Sequence, residues 1–266
     1  MRAGARNFTD EGKPMIVLRV FVNALIMAIE LAAVVGAAWL GIHYPLIFAC
    51  LTAALAFLIG LYLDYARLRH EFPFYFNSDK PRFVFGLRLV AFLDSALKGL
   101  TAGLIALLTF SGTDSDRTFL IAIVFGVATY FGLSILRRLS ISLGARPERW
   151  GFFRLAVPMG LVFSSGVALL AALGHIKVPT LYDLGKQIVF DTPEQPGIDA
   201  LSDLLFNLKQ YIDSMIATLL NTFLPADYAQ VVSLIISVNV LTGFVIAVYA
   251  VAITMVVQAM EKARPF

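Results

Sequence analysis

KPRFVFGLRLVAFLDSALKGL, residues Lys80–Leu100, starts with basic residues around a proline and passes into an apolar run that continues to about residue 111. A helix of roughly 20 apolar residues crosses a bilayer. This run is long enough, yet it carries Asp94 and Lys98 well inside. An unpaired charge at that depth costs between about 2.5 and more than 10 kcal/mol. The stretch is therefore a membrane helix only if its two charges have partners, and finding them is the question the chain sets.

Five further runs of similar length and character lie at about 15–41, 45–65, 118–140, 151–174 and 229–259. None shows the period-two alternation of a membrane strand. With 59% hydrophobic and 15% charged residues in 266, the chain is far more apolar than a soluble domain. The fold class expected is all-α: a polytopic integral membrane protein with six transmembrane helices. The first run, after a tail with Arg2, Arg6 and Lys13, exceeds the length of a signal-peptide core and reads as an uncleaved anchor.

Orientation follows from the basic residues. Most of the 21 Lys and Arg fall before the first span, between spans 2 and 3, between spans 4 and 5, and after span 6. The positive-inside rule assigns that side to the cytoplasm, so both termini are cytoplasmic and the expected location is the inner (plasma) membrane. On the other side, acidic residues such as Asp114, Asp183, Asp191 and Glu194 outnumber basic ones. Three parts result: a five-span membrane domain at 1–174, an extracytoplasmic segment at 175–228, and the last span with a cytoplasmic tail at 229–266.

The outer segment opens with turn residues and reaches Pro193, Pro196 and Gly197, after which Asp199 is a good N-cap. From 199 to 223 polar residues recur at helical spacing opposite Leu204, Leu208, Ile212, Met215 and Leu219. This is an amphipathic helix, expected along the outer membrane surface or over the ends of the spans.

KPMIVLRV at 13–20, KPRFVFGLRL at 80–89 and RPERWGFFRL at 146–155 share a basic residue, a proline, an apolar stretch and an arginine. They suggest three repeated helical hairpins, spans 1–2, 3–4 and 5–6. Convergence explains them equally, because a proline in the first turn and a snorkelling arginine suit any span entering from the cytoplasm.

Asp94, Lys98 and Thr101 stand at i, i+4 and i+7, and Asn23 and Glu30 share one stripe of the first span. At 1.5 Å per residue Glu30 reaches a depth similar to that of Lys98. The expectation is that Lys98 lies between Asp94 and Glu30. Gly99 and Gly103 form a small-xxx-small pair at which another helix can approach closely. Such a cluster is either a buried ion network that sets helix register or a proton or cation relay.

No HExxH, GxSxG or Walker lysine loop occurs, so no enzymatic chemistry and no cofactor is expected. His43, His70 and His175 are scattered, and the lone Cys50 builds no metal site. The aromatics around Phe72–Phe76 and Trp150 read as interfacial anchors, not as a nucleic-acid surface. The arginines of LRRLSISLGARPERW, residues 136–150, could contact anionic lipid.

LPADYAQVVSLIISVNVLTGF, Leu224–Phe244, resembles the stretch before and into the last hydrophobic segment of a minor coat protein of filamentous phages. The resemblance covers under a tenth of the chain and implies no functional residue. From the residues themselves, two functions are open. One is a non-enzymatic subunit of a membrane assembly for transport, secretion or envelope organisation, with other membrane subunits or a homo-oligomer as partners. The other is a self-sufficient proton- or cation-coupled carrier or channel.

Overall fold

A computed structural model describes residues 12–75, 84–110, 115–176 and 198–262. The tail with Arg2 and Arg6, the loops 76–83 and 111–114, and the turn-rich segment 177–197 lie outside the described residues. Among the described residues nine α-helices follow one another: α1 Gly12–His43, α2 Pro45–Tyr75, α3 Val84–Thr109, α4 Ser115–Leu143, α5 Pro147–Arg154, α6 Ala156–Ala172, α7 Ile198–Asn221, α8 Ala226–Ile236 and α9 Thr242–Lys262, with a 3-10 turn at Val238–Leu241 before α9. No strand occurs among the described residues. Five of the described helices are long and apolar enough to cross a membrane, and six spans result if α5 and α6 count as one broken span.

The run expected to be one span at 151–174 is broken at Leu155, where α5 and α6 meet at 51°. The cause is local. Pro158 has no N–H to give to the carbonyl of Arg154, and its ring crowds that carbonyl, so the ladder breaks one turn before the proline.

At the centre stands α9. Every residue from Val245 to Val251 is buried, as expected for a helix apolar on all sides. It packs against α6, α4 and α5 and also touches α1, α2 and α3. Phe48, Phe110, Phe125 and Tyr249 stack and meet edge to face, with ring centroids 5.0 to 6.1 Å apart, and join α2, α4 and α9 to the end of α3. Gly243 gives α9 its closest neighbour, since a Cβ there would strike the carbonyl of Ala156 and the backbone of Gly160.

Of the three expected hairpins, spans 1–2 touch as α1 with α2 and spans 5–6 as α5 and α6 with α9, but spans 3–4 are not a close pair. The most extensive contact joins α2 to α3 across the second connection, while α3 and α4, successive in sequence, barely touch. Small residues decide this: Gly99 and Gly103 lie against Ala53, Phe57 and Ala49 of α2, close enough that a Cβ on Gly99 would sit 2.9 Å from the Ala53 carbonyl. The helix Thr242–Lys262 of the expected separate part 229–266 is the central helix of the described bundle.

Polarity is distributed inside out. Glu30, Thr52, Asp64, Thr129 and Ser164 are buried, whereas Phe21, Leu58, Leu97, Val127, Val157 and many other large apolar side chains are exposed. Such a surface fits an apolar surrounding and not water.

Candidate functional site

Two ion networks and one polar cavity hold the buried charged groups of the described residues, Glu30, Asp64, Lys209 and Asp213. Lys98 Nζ lies 2.6 and 2.7 Å from the two carboxylate oxygens of Asp64 on α2 and 2.7 Å from Asp94 Oδ2, one turn back on α3. Ser95 Oγ donates to Asp64 Oδ2 at 2.9 Å. The Asp64 side chain is 4% exposed, Lys98 19% and Asp94 51%. The ammonium also sits 5.1 Å from the ring centre of Phe153 on α5. Helical spacing brings Asp94 to Lys98, and the glycine contact brings α2 near enough for Asp64 to close the site.

Glu30 has a different partner, which corrects the expected Glu30–Lys98 pair. Arg137 Nη1 of α4 donates to Glu30 at 3.2 and 3.3 Å, and its Nη2 reaches Glu261 Oε1 of α9 at 3.3 Å. The physical reason is neighbourhood: α1 packs against α4, not against α3. One expected cluster is thus two. In each, two carboxylates share one cation, a formal charge of −1.

Glu30 and Lys98 stand near mid-length of the apolar helices Val20–His43 and Arg88–Thr109, whereas their partners Asp64, Arg137 and Glu261 stand closer to the helix ends at Leu68, Leu143 and Lys262. Thr101 is exposed and donates to the Leu97 carbonyl at 2.8 Å, and Asn23 lies on an exposed flank of α1.

At the other end of the bundle, α7 covers a cavity of about 240 Å³ lined from α3, α4, α6, α7, α8 and the 3-10 turn. Its polar groups include Thr109, Arg117, Lys209, Asp213, Ser233 and Asn239. Lys209 Nζ bonds Asp213 Oδ2 at 3.1 Å. Burial lowers the Lys209 pKa from its usual 10.5, against the opposing pull of Asp213. Asp213 Oδ1 is buried with no hydrogen-bond partner among the described residues. Arg117 stacks over Phe206, with Cζ 4.9 Å from the ring centre. Here the long last apolar segment is interrupted: Ser237 Oγ accepts from the Asn239 N–H at 3.0 Å, and Thr242 at the start of α9 meets Thr109 at 3.2 Å.

The helix α7 is turned opposite to a surface helix of a water-soluble protein. Lys209, Asp213 and Ser214 are buried against the cavity, while Leu204, Leu208, Tyr211, Ile212, Met215 and Leu219 are exposed. Periodicity in the sequence finds the two faces, but not which of them points inward.

Chemically, the networks are closed, each carboxylate holding a cation that another carboxylate also holds. The cavity has hydroxyl, amide, ammonium and carboxylate groups suited to ordered water or a small polar molecule. Among the described residues no three His, Cys, Asp or Glu side chains converge as a metal site. No family model, curated protein or solved structure matches the chain.

Proposed function

We propose that the chain is a six-span inner-membrane protein with cytoplasmic termini that serves as a non-enzymatic subunit of a larger membrane assembly. In this reading α5 and α6 form one kinked fifth span, and the ion networks tie Glu30 and Lys98 to partners toward the cytoplasmic side. The observation that carries the reading is the orientation of α7: Lys209, Asp213 and Ser214 are buried inside the protein, and its leucine-rich apolar face is presented outward, in this reading at the extracytoplasmic end. A helix of that kind gains most when a partner's membrane helices cover it.

The carrier alternative needed Glu30 and Lys98 in one polar centre. With these residues in separate, internally paired networks, that centre is missing and the alternative is not taken further. The networks are read as register-setting ion pairs between helices.

Extraction in mild detergent tests the subunit reading. A stoichiometric membrane partner should accompany the wild-type chain and be lost from Leu208→Asp/Met215→Asp. A chain that purifies alone as a monomer, with the double variant behaving like wild type, overturns it.

A further inference from the structure

A groove of about 800 Å³ runs along α2 and α3 near their cytoplasmic ends, and it is flanked by two guanidinium groups, Arg88 of α3 and Arg149 of α5. Leu58, Leu61, Tyr62 and Phe92 make its apolar wall. Arg88 lies over Tyr65, with Cζ 5.9 Å from the ring centre. Arg137, Arg67 and Lys98 are held by carboxylates, but Arg88 and Arg149 have no acidic partner among the described residues. Asp94, the half-exposed acid near by on α3, is committed to Lys98.

We infer that this groove binds one anionic phospholipid, its phosphate between Arg88 and Arg149 and an acyl chain along Tyr62, Leu61, Leu58 and Phe92. Each part of the groove selects one part of that ligand. The planar donor forks of arginine match phosphate oxygens, and two of them from different helices at one mouth form a site where a single one serves only as a topology signal. From Tyr65 to Leu58 the groove runs about 10 Å along α2, within one leaflet of a hydrocarbon core about 30 Å thick. Free phosphate would use the arginines and leave the apolar wall bare. A neighbouring transmembrane helix would need its own acid to meet two cations. The arginines expected from sequence to contact lipid divide accordingly: Arg137 is consumed by Glu30 and Glu261, and Arg149 is available.

The inference rests on the membrane residence proposed above, and the experiment separates the two. The full chain is incorporated into nanodiscs of mixed phosphatidylglycerol and phosphatidylcholine, released into mild detergent, and its retained lipids are counted by native mass spectrometry. One retained phosphatidylglycerol per chain is expected. An arginine near an anionic headgroup contributes about 1 kcal/mol, roughly fivefold, so Arg88→Gln/Arg149→Gln should lose about 30-fold in retention. Arg138→Gln/Arg154→Gln, which removes the same charge outside the groove, should retain it. Leu58→Trp, which fills the groove and keeps both arginines, should also lose the lipid.

Equal retention of phosphatidylcholine, equal loss in the two arginine pairs, or displacement by inorganic phosphate with Leu58→Trp unaffected overturns the inference and leaves membrane residence standing. Failure to enter nanodiscs at all, seen before any lipid is counted, overturns both.

Discussion

The Asp64–Lys98–Asp94 network makes an ordered prediction, because its three members differ so much in burial. Lys98→Met strands the Asp64 carboxylate, 4% exposed, with Ser95 as its remaining donor. Removing one partner of a buried pair costs about 3–5 kcal/mol, and this variant belongs in that range. Asp64→Asn removes two short bonds to the ammonium, but Lys98 keeps Asp94 and some exposure, so a loss of about 2–3 kcal/mol is expected after discounting for those remaining contacts. Asp94→Asn removes a half-exposed partner and should cost less than about 1 kcal/mol. Asp64→Asn/Lys98→Met leaves no buried charge and should recover most of the Lys98→Met loss, since neutral replacement of a buried pair is often tolerated. Thermal unfolding of the four variants in one detergent, followed by helical circular dichroism, gives the order and the coupling energy of the cycle. If Asp94→Asn is as harmful as Lys98→Met, or the double variant is as unstable as the two losses added, the network does not hold α2 to α3 as described.

Two further outcomes follow from the packing and from the cavity. Gly243→Ala should destabilise by about 1–3 kcal/mol or more, because its Cβ meets backbone that cannot move aside, while Gly36→Ala, which points into open space, should stay within about 0.5 kcal/mol of wild type in the same unfolding assay. For Lys209 the folded state lowers the pKa below 10.5, so between the folded pKa and 10.5 the unfolded chain binds more protons. Stability of α7 against its cavity should rise with pH across that window, measured by rate-corrected hydrogen exchange of α7, and Lys209→Met should abolish the slope.

Much of the fold was legible because hydropathy and length report on a helix by itself. The long apolar helices, the amphipathic helix at 199–223, now Ile198–Asn221, and the Asp94–Lys98 pair all depend on spacing within one segment. Gly99 and Gly103 were legible as a close-approach surface, though not as one that selects α2. Which helices are neighbours is less legible. Asp64 sits at the end of an apolar run, where a carboxylate looks like a boundary residue. Arg137 lies among arginines that suit the cytoplasmic boundary, yet within α4 it turns inward to Glu30. A stripe of charges shows that a partner is required, but not from which helix it comes. The break at Leu155 has its cause in Pro158, which acts on the preceding turn.

The central claim is that α7 presents its apolar face away from the protein, toward membrane or membrane partner. A fluorophore attached to Leu208→Cys or Met215→Cys, in a Cys50→Ala chain reconstituted alone into vesicles, tests it most directly. The account predicts quenching by brominated acyl chains and protection from aqueous iodide at both positions. Ready quenching by iodide with none from brominated lipid would show that face in water, and the orientation on which the account rests would be contradicted.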